Sequence, residues 1–485
     1  MTNRYLFSAV IASSVVLAGC FDGSSNSSSD VPANPVMSQV RVLHAVSDAP
    51  DVNVNVNGDP AVSGASFRQA GILNPEVGTY SVSVDAILPD ESLIPVIQDT
   101  DLTLEEGTNY DVIAAGTTAE ETIAPIVLTD DGQRDDPDSV RLRVVHLSPG
   151  AQAAAAGPVD IYITADGAPL PDEPFETLAF GEDFGPSEVD PCTYQVRITP
   201  AGTPANVVYD SGPLPLSAGS DLLVAAIDNT LFGDLDQAES PVNLLVVNGD
   251  ETTELYDVRT GGAIRVAHNS SDAGPVDVYL NGDPTATTPI IEDLTFGETA
   301  PGVPQTGAYV PVDVGENLLD ITPAGETSPI AISAELNAAN GQLQTVLAAG
   351  SAATDSLEAL AFDDDNRRIA TEARLRVIHG AIEAEIVDVY LVPTAEAGAG
   401  DTVLGNAMPA LEDFEYGQAS DYLPVPQGDY VVFITLPDGN VLFKSNSVSL
   451  NNGGVYTAVA RANSNTSPGA DIAAITLMDD FVGIE

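Results

Sequence analysis

The chain contains four copies of one short phrase, and each copy holds one of its four histidines. The copies begin QVRVLHAVSDAP, RLRVVHLSPGAQ, AIRVAHNSSDAG and RLRVIHGAIEAE. Their histidines are His44, His146, His268 and His379. A spacing of roughly 100 to 120 residues is too long for a solenoid repeat and suits separate domains of immunoglobulin size. The chain is therefore predicted to be four copies of one domain.

Residues of the repeated phrase alternate between two faces, as in a β-strand. In the third copy Ile264, Val266 and His268 share one face, while Arg265 and Ala267 share the other. The chain also has 41 glycines and 35 prolines, which punctuate short segments rich in Val, Ile, Thr and Tyr. We expect an all-β fold of four tandem immunoglobulin-like antiparallel β-sandwich domains, with each sheet buried on one face.

Tight hairpin turns are predicted where Asn-Gly or Asp-Gly follows the second strand of a copy. These dipeptides are Asn57-Gly58, Asp166-Gly167 and Asn281-Gly282. A type I′ turn needs a positive φ at both central residues, which these residue types tolerate.

The predicted organisation has six parts, bounded by the repeats and by the first residues of the chain. They are a signal peptide at residues 1–19, a lipidated cysteine and flexible tether at 20–37, and β-sandwich repeats at 38–133, 139–257, 261–365 and 371–485.

Three features carry a family resemblance: the arginine–apolar–apolar–histidine strand, the Ser-Asp-Ala turn, and the VDVY strand with its Asn-Gly turn. They resemble the bacterial family called domain of unknown function 4397, over nearly all of the chain after residue 38. The resemblance implies a secreted or lipid-anchored protein with tandem β-sandwich units and no established activity. Copy one departs from the pattern with DVNVNVNG, and copy two carries the insertion AQAAAAG. We expect the loop of copy two to behave differently.

The first residues are typical of a bacterial lipoprotein signal. Arg4 precedes an apolar run from Leu6 to Leu17, which is too short for a stable membrane span, and Leu-Ala-Gly-Cys ends at Cys20. We expect Cys20 to carry several acyl chains and to anchor the protein. Phe21 follows, rather than an aspartate resembling an inner-membrane retention signal, which favours the outer membrane. The alternative is an ordinary secretory signal that happens to contain a cysteine.

Cys192 is the only other cysteine in the chain. One thiol cannot form an internal disulfide, although a cell envelope would permit one. We expect Cys192 to be buried and inert.

The charge balance is strongly acidic, with 15 Lys and Arg against 72 Asp and Glu and a net charge of −57. Such a chain repels nucleic acid and anionic membrane surfaces, so no nucleic-acid partner is expected. Because the acids are spread along the whole chain, we favour a solvated surface adapted to high salt over a cation-binding surface.

The candidate site combines each histidine with the polar residue at the matching place in the next strand. These residues are Asn53, Asp160, Asp277 and Asp388. A His/Asp pair suits acid–base or metal chemistry. However, copy one has Asn53, and the histidine and aspartate alternate onto opposite faces. We therefore favour a structural role, in which a ring nitrogen donates to a backbone carbonyl of the following turn. No catalytic residue is predicted.

Dense acidic segments lie at the ends of the repeats, and carboxylates are the oxygen ligands that Ca²⁺ prefers. The residues of a weak calcium site would be Asp130, Asp131, Asp135, Asp136, Asp363, Asp364 and Asp365. No other cofactor is expected. The alternative is a hydrophilic, self-repelling linker.

These observations favour a non-catalytic, lipid-anchored protein of the cell envelope that acts as a stalk or an interaction or adhesion module. Its partners would be the membrane, through the lipid, and envelope proteins or glycans. The runner-up is a carbohydrate-binding surface on which Tyr162, Tyr279 and Tyr390 stack against sugar rings, although strand tyrosines are also ordinary packing residues. An envelope hydrolase ranks third.

Overall fold

The computed structural model describes residues 36–231, 240–301, 309–384, 386–397, 404, 407–462 and 472–479. The predicted signal peptide, Cys20 and nearly all of the tether lie outside these residues. In the described part of the chain no helix is long and apolar enough to cross a membrane.

Repeat 1 is a sandwich of two four-stranded sheets, ordered β4-β1-β7-β8 and β3-β2-β5-β6. Its strands are β1 (Gln39–His44), β2 (Val52–Val56), β3 (Asp59–Ala65), β4 (Ala70–Leu73), β5 (Gly78–Ile87), β6 (Leu93–Leu104), β7 (Asn109–Ala115) and β8 (Ala124–Asp130). Strands β1 and β7 are parallel, whereas the other pairs are antiparallel.

Repeat 2 has the same plan, with sheets β12-β9-β15-β16-β17 and β11-β10-β13-β14. Its elements are β9 (Val140–His146), α1 (Pro149–Ala155), β10 (Val159–Ala165), β11 (Glu176–Leu178), β12 (Asp183–Val189), β13 (Thr193–Pro200), β14 (Tyr209–Pro215), β15 (Asp221–Asp228), β16 (Val242–Asn248) and β17 (Glu251–Leu255). Helix α1 begins two residues before the insertion AQAAAAG and contains the first five residues of it. Ser148 caps it by accepting a hydrogen bond from the Ala151 N–H at 2.9 Å.

Repeat 3 has the sheets β21-β18-β25-β26, with β22 also paired to β18, and β20-β19-β23-β24. Its strands are β18 (Gly262–His268), β19 (Val276–Leu280), β20 (Ile291–Leu294), β21 (Thr299–Ala300), β22 (Val310–Val312), β23 (Gly315–Pro323), β24 (Ile332–Ala338), β25 (Leu343–Ala349) and β26 (Glu358–Asp364).

Repeat 4 has the sheets β30-β27-β34-β35 and β29-β28-β31-β32, with β33 paired to β31. Its elements are β27 (Ala373–His379), β28 (Ile386–Pro393), α2 (Thr394–Ala397), β29 (Leu411–Glu415), β30 (Leu423–Val425), β31 (Gly428–Thr435), β32 (Val441–Lys444), β33 (Val448–Leu450), β34 (Val455–Ala462) and β35 (Ile472–Asp479). The prediction of an all-β chain of sandwich domains is confirmed.

Each repeat contains one parallel pair, which the expectation of purely antiparallel sheets missed. The pairs are β1 with β7, β9 with β15, β18 with β25, and β27 with β34. Parallel neighbours need a long crossover connection. Here the crossover is the second sheet itself, because the chain builds all of that sheet between the two parallel strands.

The sheet that holds the parallel pair is buried on both faces, and this corrects the expectation of one buried face. Its inner face packs against the second sheet of its own repeat. Its outer face packs against the neighbouring repeat, since the cluster of Leu43, Ile113, Val145, Leu223 and Leu245 joins repeats 1 and 2. A smaller cluster of Ala267, Leu347, Ile378 and Val459 joins repeats 3 and 4. The sandwiches are therefore packed face to face in two pairs, and a smaller cluster of Leu231, Ala263, Tyr309 and Leu343 joins the pairs through repeats 2 and 3.

Only one of the three predicted type I′ turns has the required backbone. Asn57 and Gly58 have φ of 54° and 85°. At 281–282 only the asparagine has a positive φ, and at 166–167 only the glycine does. In these two repeats the next strand begins about ten residues later, so the dipeptide opens a longer loop rather than closing a tight hairpin.

Candidate functional site

The four histidines occupy the same place, at the end of the first strand of each repeat, and all four are buried. In every copy the ring Nδ1 accepts a hydrogen bond from the backbone N–H two residues later. The donors are Val46 at 3.3 Å, Ser148 at 3.4 Å, Ser270 at 3.3 Å and Ala381 at 3.3 Å. With Nδ1 accepting, the neutral ring carries its proton on Nε2.

The second ring nitrogen reaches across the following turn in two of the repeats. The Nε2 of His44 lies 3.1 Å from the Pro50 carbonyl oxygen, and that of His268 lies 2.9 Å from the Gly274 carbonyl oxygen. Each of these rings therefore ties both ends of the turn that leads to the second strand.

Each histidine also packs edge-on against an aromatic ring that the sequence analysis did not connect to it. The rings are Phe67, Phe180, Phe296 and Tyr416, with centroids 6.2 to 6.4 Å from the imidazoles. The residue after each aromatic has a positive φ and donates its N–H to the histidine carbonyl; these residues are Arg68, Gly181, Gly297 and Gly417. The recurring aromatic followed by glycine in three copies is the signal that marks this contact.

Burial keeps the four imidazoles neutral. It lowers the pKa of His44, His146 and His379 from 6.5 to about 4, and it lowers the pKa of His268 as well. For His44 and His268 the hydrogen bond to the turn carbonyl opposes this shift without cancelling it. General bases that act near neutral pH work best when their pKa is close to 7. A histidine with a pKa of about 4 is a much weaker proton acceptor.

The polar residue of the second strand is held by a different set of backbone donors. Asp277 accepts from the N–H of Asp293 at 2.9 Å and of Gly325 at 2.8 Å. Asp388 accepts from the Asp413 N–H at 2.9 Å, and Asn53 accepts from the Gly64 N–H at 3.0 Å.

The donors in the third strand, Gly64, Asp293 and Asp413, all have a positive φ, and the strand register shifts beside each of them. The side chain thus fastens a β-bulge in the neighbouring strand. In repeat 2, Asp160 accepts instead from the Thr177 hydroxyl at 2.6 Å and the Gly202 N–H at 2.7 Å. An amide oxygen performs the same task as a carboxylate, which explains why copy one carries asparagine.

In the described part of the chain, the hydrogen bonds of the histidine rings go to backbone atoms rather than to these aspartates. The structure therefore places the two halves of the candidate site in one region of each repeat but does not join them. That the histidines act only as fasteners stays a prediction, tested below.

Two of the acids predicted to bind calcium pair with arginines of the next repeat. Asp130 at the end of β8 accepts from Arg141 at 2.7 Å and lies 3.9 Å from Arg143, both on β9. Asp364 at the end of β26 pairs with Arg376 of β27 at 2.5 Å and with Arg265 of β18 at 3.4 Å. In both pairs of repeats, the last strand of the first member supplies the carboxylate and the first strand of the second member supplies an arginine.

The other five acids have separate environments. Asp131 accepts from the Gln133 N–H, Asp136 from the Asp138 N–H, and the Asp135 N–H donates to Glu188. Asp363 accepts from Gln342 and Gln344, whereas Asp365 pairs with Arg374 at 2.8 Å.

Asp363, Asp364 and Asp365 line one cleft of about 530 Å³ together with Arg374 and Arg376. Among the residues whose side chains are described, no group of three or more His, Cys, Asp or Glu has a metal-binding arrangement. Calcium binding at these acids stays a prediction, and the calcium ion would have to compete there with bound arginines.

Two expectations about single residues are wrong. Cys192 is exposed rather than buried, because it lies in the turn that precedes β13. Tyr162 and Tyr279 are 1% and 4% exposed, so they offer no surface on which a sugar ring could stack. Tyr390 is partly buried.

The segment between repeats 3 and 4 contacts the other pair of repeats. The Arg367 guanidinium donates to the carbonyl oxygens of Ser47, at 2.8 Å, and Ala49. It also lies over the ring of Phe67, 4.8 Å from the centroid. Asn366 donates to the Leu231 carbonyl at 3.1 Å. This segment therefore touches the histidine turn of repeat 1 and the end of repeat 2.

The repeats, their buried histidines and their bulge-fastening aspartates can be compared with known families. Residues 38–155, 262–390 and 394–481 match the model of a domain of unknown function, DUF4397. The matched ranges cover more than half of the chain. The chain belongs to the DUF4397 family. The resemblance inferred from the repeated phrase is thus confirmed, and the DUF4397 match spans parts of all four repeats.

No curated protein matches this DUF4397 chain. Two solved structures are similar to it at low levels. One is a product complex of the multi-modular glycogen-degrading pneumococcal virulence factor SpuA, at 10% identity and a TM-score of 0.13, covering 61% of this chain and 37% of that one. The other is SGBP-B of a Bacteroides ovatus mixed-linkage glucan utilization locus with a heptasaccharide, at 12% identity and 0.09, covering 86% and 98%. Scores this low carry no argument about fold or function.

Proposed function

We propose that this DUF4397 protein is a non-catalytic, lipid-anchored component of the bacterial cell envelope that acts as a structural or interaction module. The observation that carries the proposal is the environment of the repeated polar residues. In each copy the histidine is buried and bonded to backbone, and the aspartate or asparagine is bonded to a neighbouring strand. This bonding supports a role for these side chains in holding the sandwich together.

The packing of the repeats supports a module that presents several sandwiches as one surface. Buried apolar clusters join repeat 1 to repeat 2 and repeat 3 to repeat 4, and Arg367 joins the linker of the second pair to repeat 1. If the protein acts as a stalk, its rigid units are therefore pairs of sandwiches rather than four independent ones.

The membrane anchor and the outer-membrane location are supported by the sequence around Cys20 alone. Expression of the full chain in a Gram-negative host with radioactive palmitate tests them. The protein should be labelled and should fractionate with the outer membrane, and Cys20→Ser should abolish the label and release the protein into the soluble fraction. Label that persists in Cys20→Ser, or a natural protein that is never labelled, would overturn the anchor.

A further inference from the structure

The core of repeat 1 is incompletely filled. A cavity of about 260 Å³ lies between its two sheets. The buried residues of this repeat divide into two separate inner clusters, one around Val52 and Val84 and one around Val40 and Tyr110. In repeats 2, 3 and 4 the inner core forms a single cluster.

Part of the cause is visible in the sequence of the four copies. At two positions that line the cavity, repeat 1 has valine where each other copy has leucine or isoleucine. Val40 corresponds to Leu142, Ile264 and Leu375, and Val56 corresponds to Ile163, Leu280 and Leu391. Each replacement leaves a side chain one methylene smaller, and protein cores are packed tightly enough to register such a change.

The exposure of matched residues shows the same difference. Val266, Val278, Leu319 and Val346 of repeat 3 are completely buried. Their counterparts Val42, Val54, Val82 and Val112 of repeat 1 are only half-buried, and all four line the cavity. The inner faces of repeat 1 are therefore open where those of repeat 3 are in contact.

The wall of this cavity bears no charged side chain, although the chain has a net charge of −57. Its polar groups are the exposed Asn74 at the rim and the hydroxyl of Tyr80, which already donates to the Glu76 carbonyl at 2.8 Å. A buried water needs two to four polar partners, and a buried ion needs a partner of opposite charge. Such a wall favours neither water nor an ion.

We infer that the cavity of repeat 1 binds a small uncharged molecule that is mostly hydrocarbon. An apolar cavity of roughly 150 Å³ is enough to take up benzene, so this larger space accommodates a substituted ring or an alkyl chain of similar bulk. The site is distinct from the histidine turns and from the contacts between repeats, and it goes beyond the proposed structural role.

Isothermal titration calorimetry of the whole protein with n-butylbenzene tests the inference. The key variant is Val56→Leu/Val82→Leu, which gives repeat 1 the side chains of Leu280 and Leu319. It should remove one binding site from the natural protein's total, or weaken binding there at least tenfold, while the melting temperature stays equal or rises. Since the core of repeat 4 has a larger opening of about 390 Å³, whose lining includes Leu391, Ile434 and the charged Lys444, the number of sites is the quantity to compare.

The matched control is Val258→Leu/Val314→Leu, the same chemical change at two exposed valines outside the cavity. It should bind like the natural protein. The single variants Val56→Leu and Val82→Leu serve if the double variant does not fold, and each should lower the affinity. Absence of saturable binding by the natural protein, or full binding by the folded cavity variants, would overturn the inference.

Discussion

At the scale of single residues, the same two positions of each repeat carry hydrogen-bonded side chains. The histidine Nδ1 accepts from the turn after the first strand in all four copies, and the aspartate or asparagine holds a bulge in the third strand of repeats 1, 3 and 4. The sequence was sufficient to identify these residues and to place them on opposite faces. It was not sufficient to reveal the bulges or the aromatic partners, because the contacts join residues from different strands at varying separations.

Substitution of Asp277 distinguishes a hydrogen-bond acceptor from a required charge. Asp277→Ala removes the acceptor for two backbone N–H groups and should lower the free energy of unfolding by about 1–3 kcal/mol. Asp277→Asn keeps one acceptor oxygen, as Asn53 does in repeat 1, and should cost about 1 kcal/mol or less. Urea unfolding measures both. An equal decrease in the free energy of unfolding for the two variants would indicate that the negative charge itself is needed.

Acidification should destabilise the protein through its histidines. The pKa of His44, His146 and His379 is about 4 in the folded chain against 6.5 when unfolded, so the unfolded state binds more protons between these values. Burial lowers the pKa of His268 as well. The free energy of unfolding should fall as the pH drops from 7 toward 4, by at most about 3 kcal/mol per histidine.

Buried acids oppose this trend, and these include Asp228, whose pKa is raised by burial, and Glu372. Burial raises the pKa of Glu372 to about 7, so its contribution is present below pH 4.5 and is lost as the pH rises through 7. Urea midpoints at pH 7 and pH 5 measure the balance, and Glu372→Gln should make the loss on acidification steeper. A midpoint that is unchanged or higher at pH 5 would contradict the account.

At the scale of strands and sheets, alternation predicted the sandwiches but not their packing against each other. The outer face of a sheet meets another repeat, and no pattern within a single strand identifies that partner. A signal was nevertheless present, since runs within these strands such as LLVAAI and VLAA are continuously apolar. A continuous apolar run is typical of strands buried on both faces, and Leu343–Ala349 is buried throughout.

The arginine three residues before the histidine is the polar part of this packing. The guanidinium of Arg376 donates to Asp364 of repeat 3 and, at 3.1 Å, to the Thr457 hydroxyl of its own repeat. Removal of one member of a buried ion pair leaves an uncompensated charge.

Arg376→Gln should therefore lower the free energy of unfolding by about 3–5 kcal/mol. The control is Arg41→Gln, because Arg41 pairs with Asp111 inside repeat 1, where the side chains are 15% and 11% exposed against 2% and 0% for Arg376 and Asp364. Its loss of stability should be smaller, since some water reaches that pair. Thermal unfolding compares the two variants. Equal effects would show that the ion pair between repeats adds no more stability than the pair within repeat 1.

At the scale of the whole molecule, the few positive charges of an acidic chain are concentrated where repeats meet. Arg143 and Arg376 bridge the members of each pair, and Arg367 joins the linker of the second pair to repeat 1. The repeat spacing predicted four domains. It could not predict that they pack in pairs, because that arrangement depends on surfaces that become adjacent only after each sandwich has folded.

The central claim is that each histidine fastens its sandwich and that the sandwiches are coupled in pairs. Hydrogen–deuterium exchange of the intact protein and of His268→Ala tests both parts in one measurement. The account predicts faster exchange across β18–β26 and also in β27 and β34 of repeat 4, while β1 and β7 of repeat 1 keep their protection. Faster exchange confined to residues 269–275, with the strands of repeats 3 and 4 as protected as before, would contradict it.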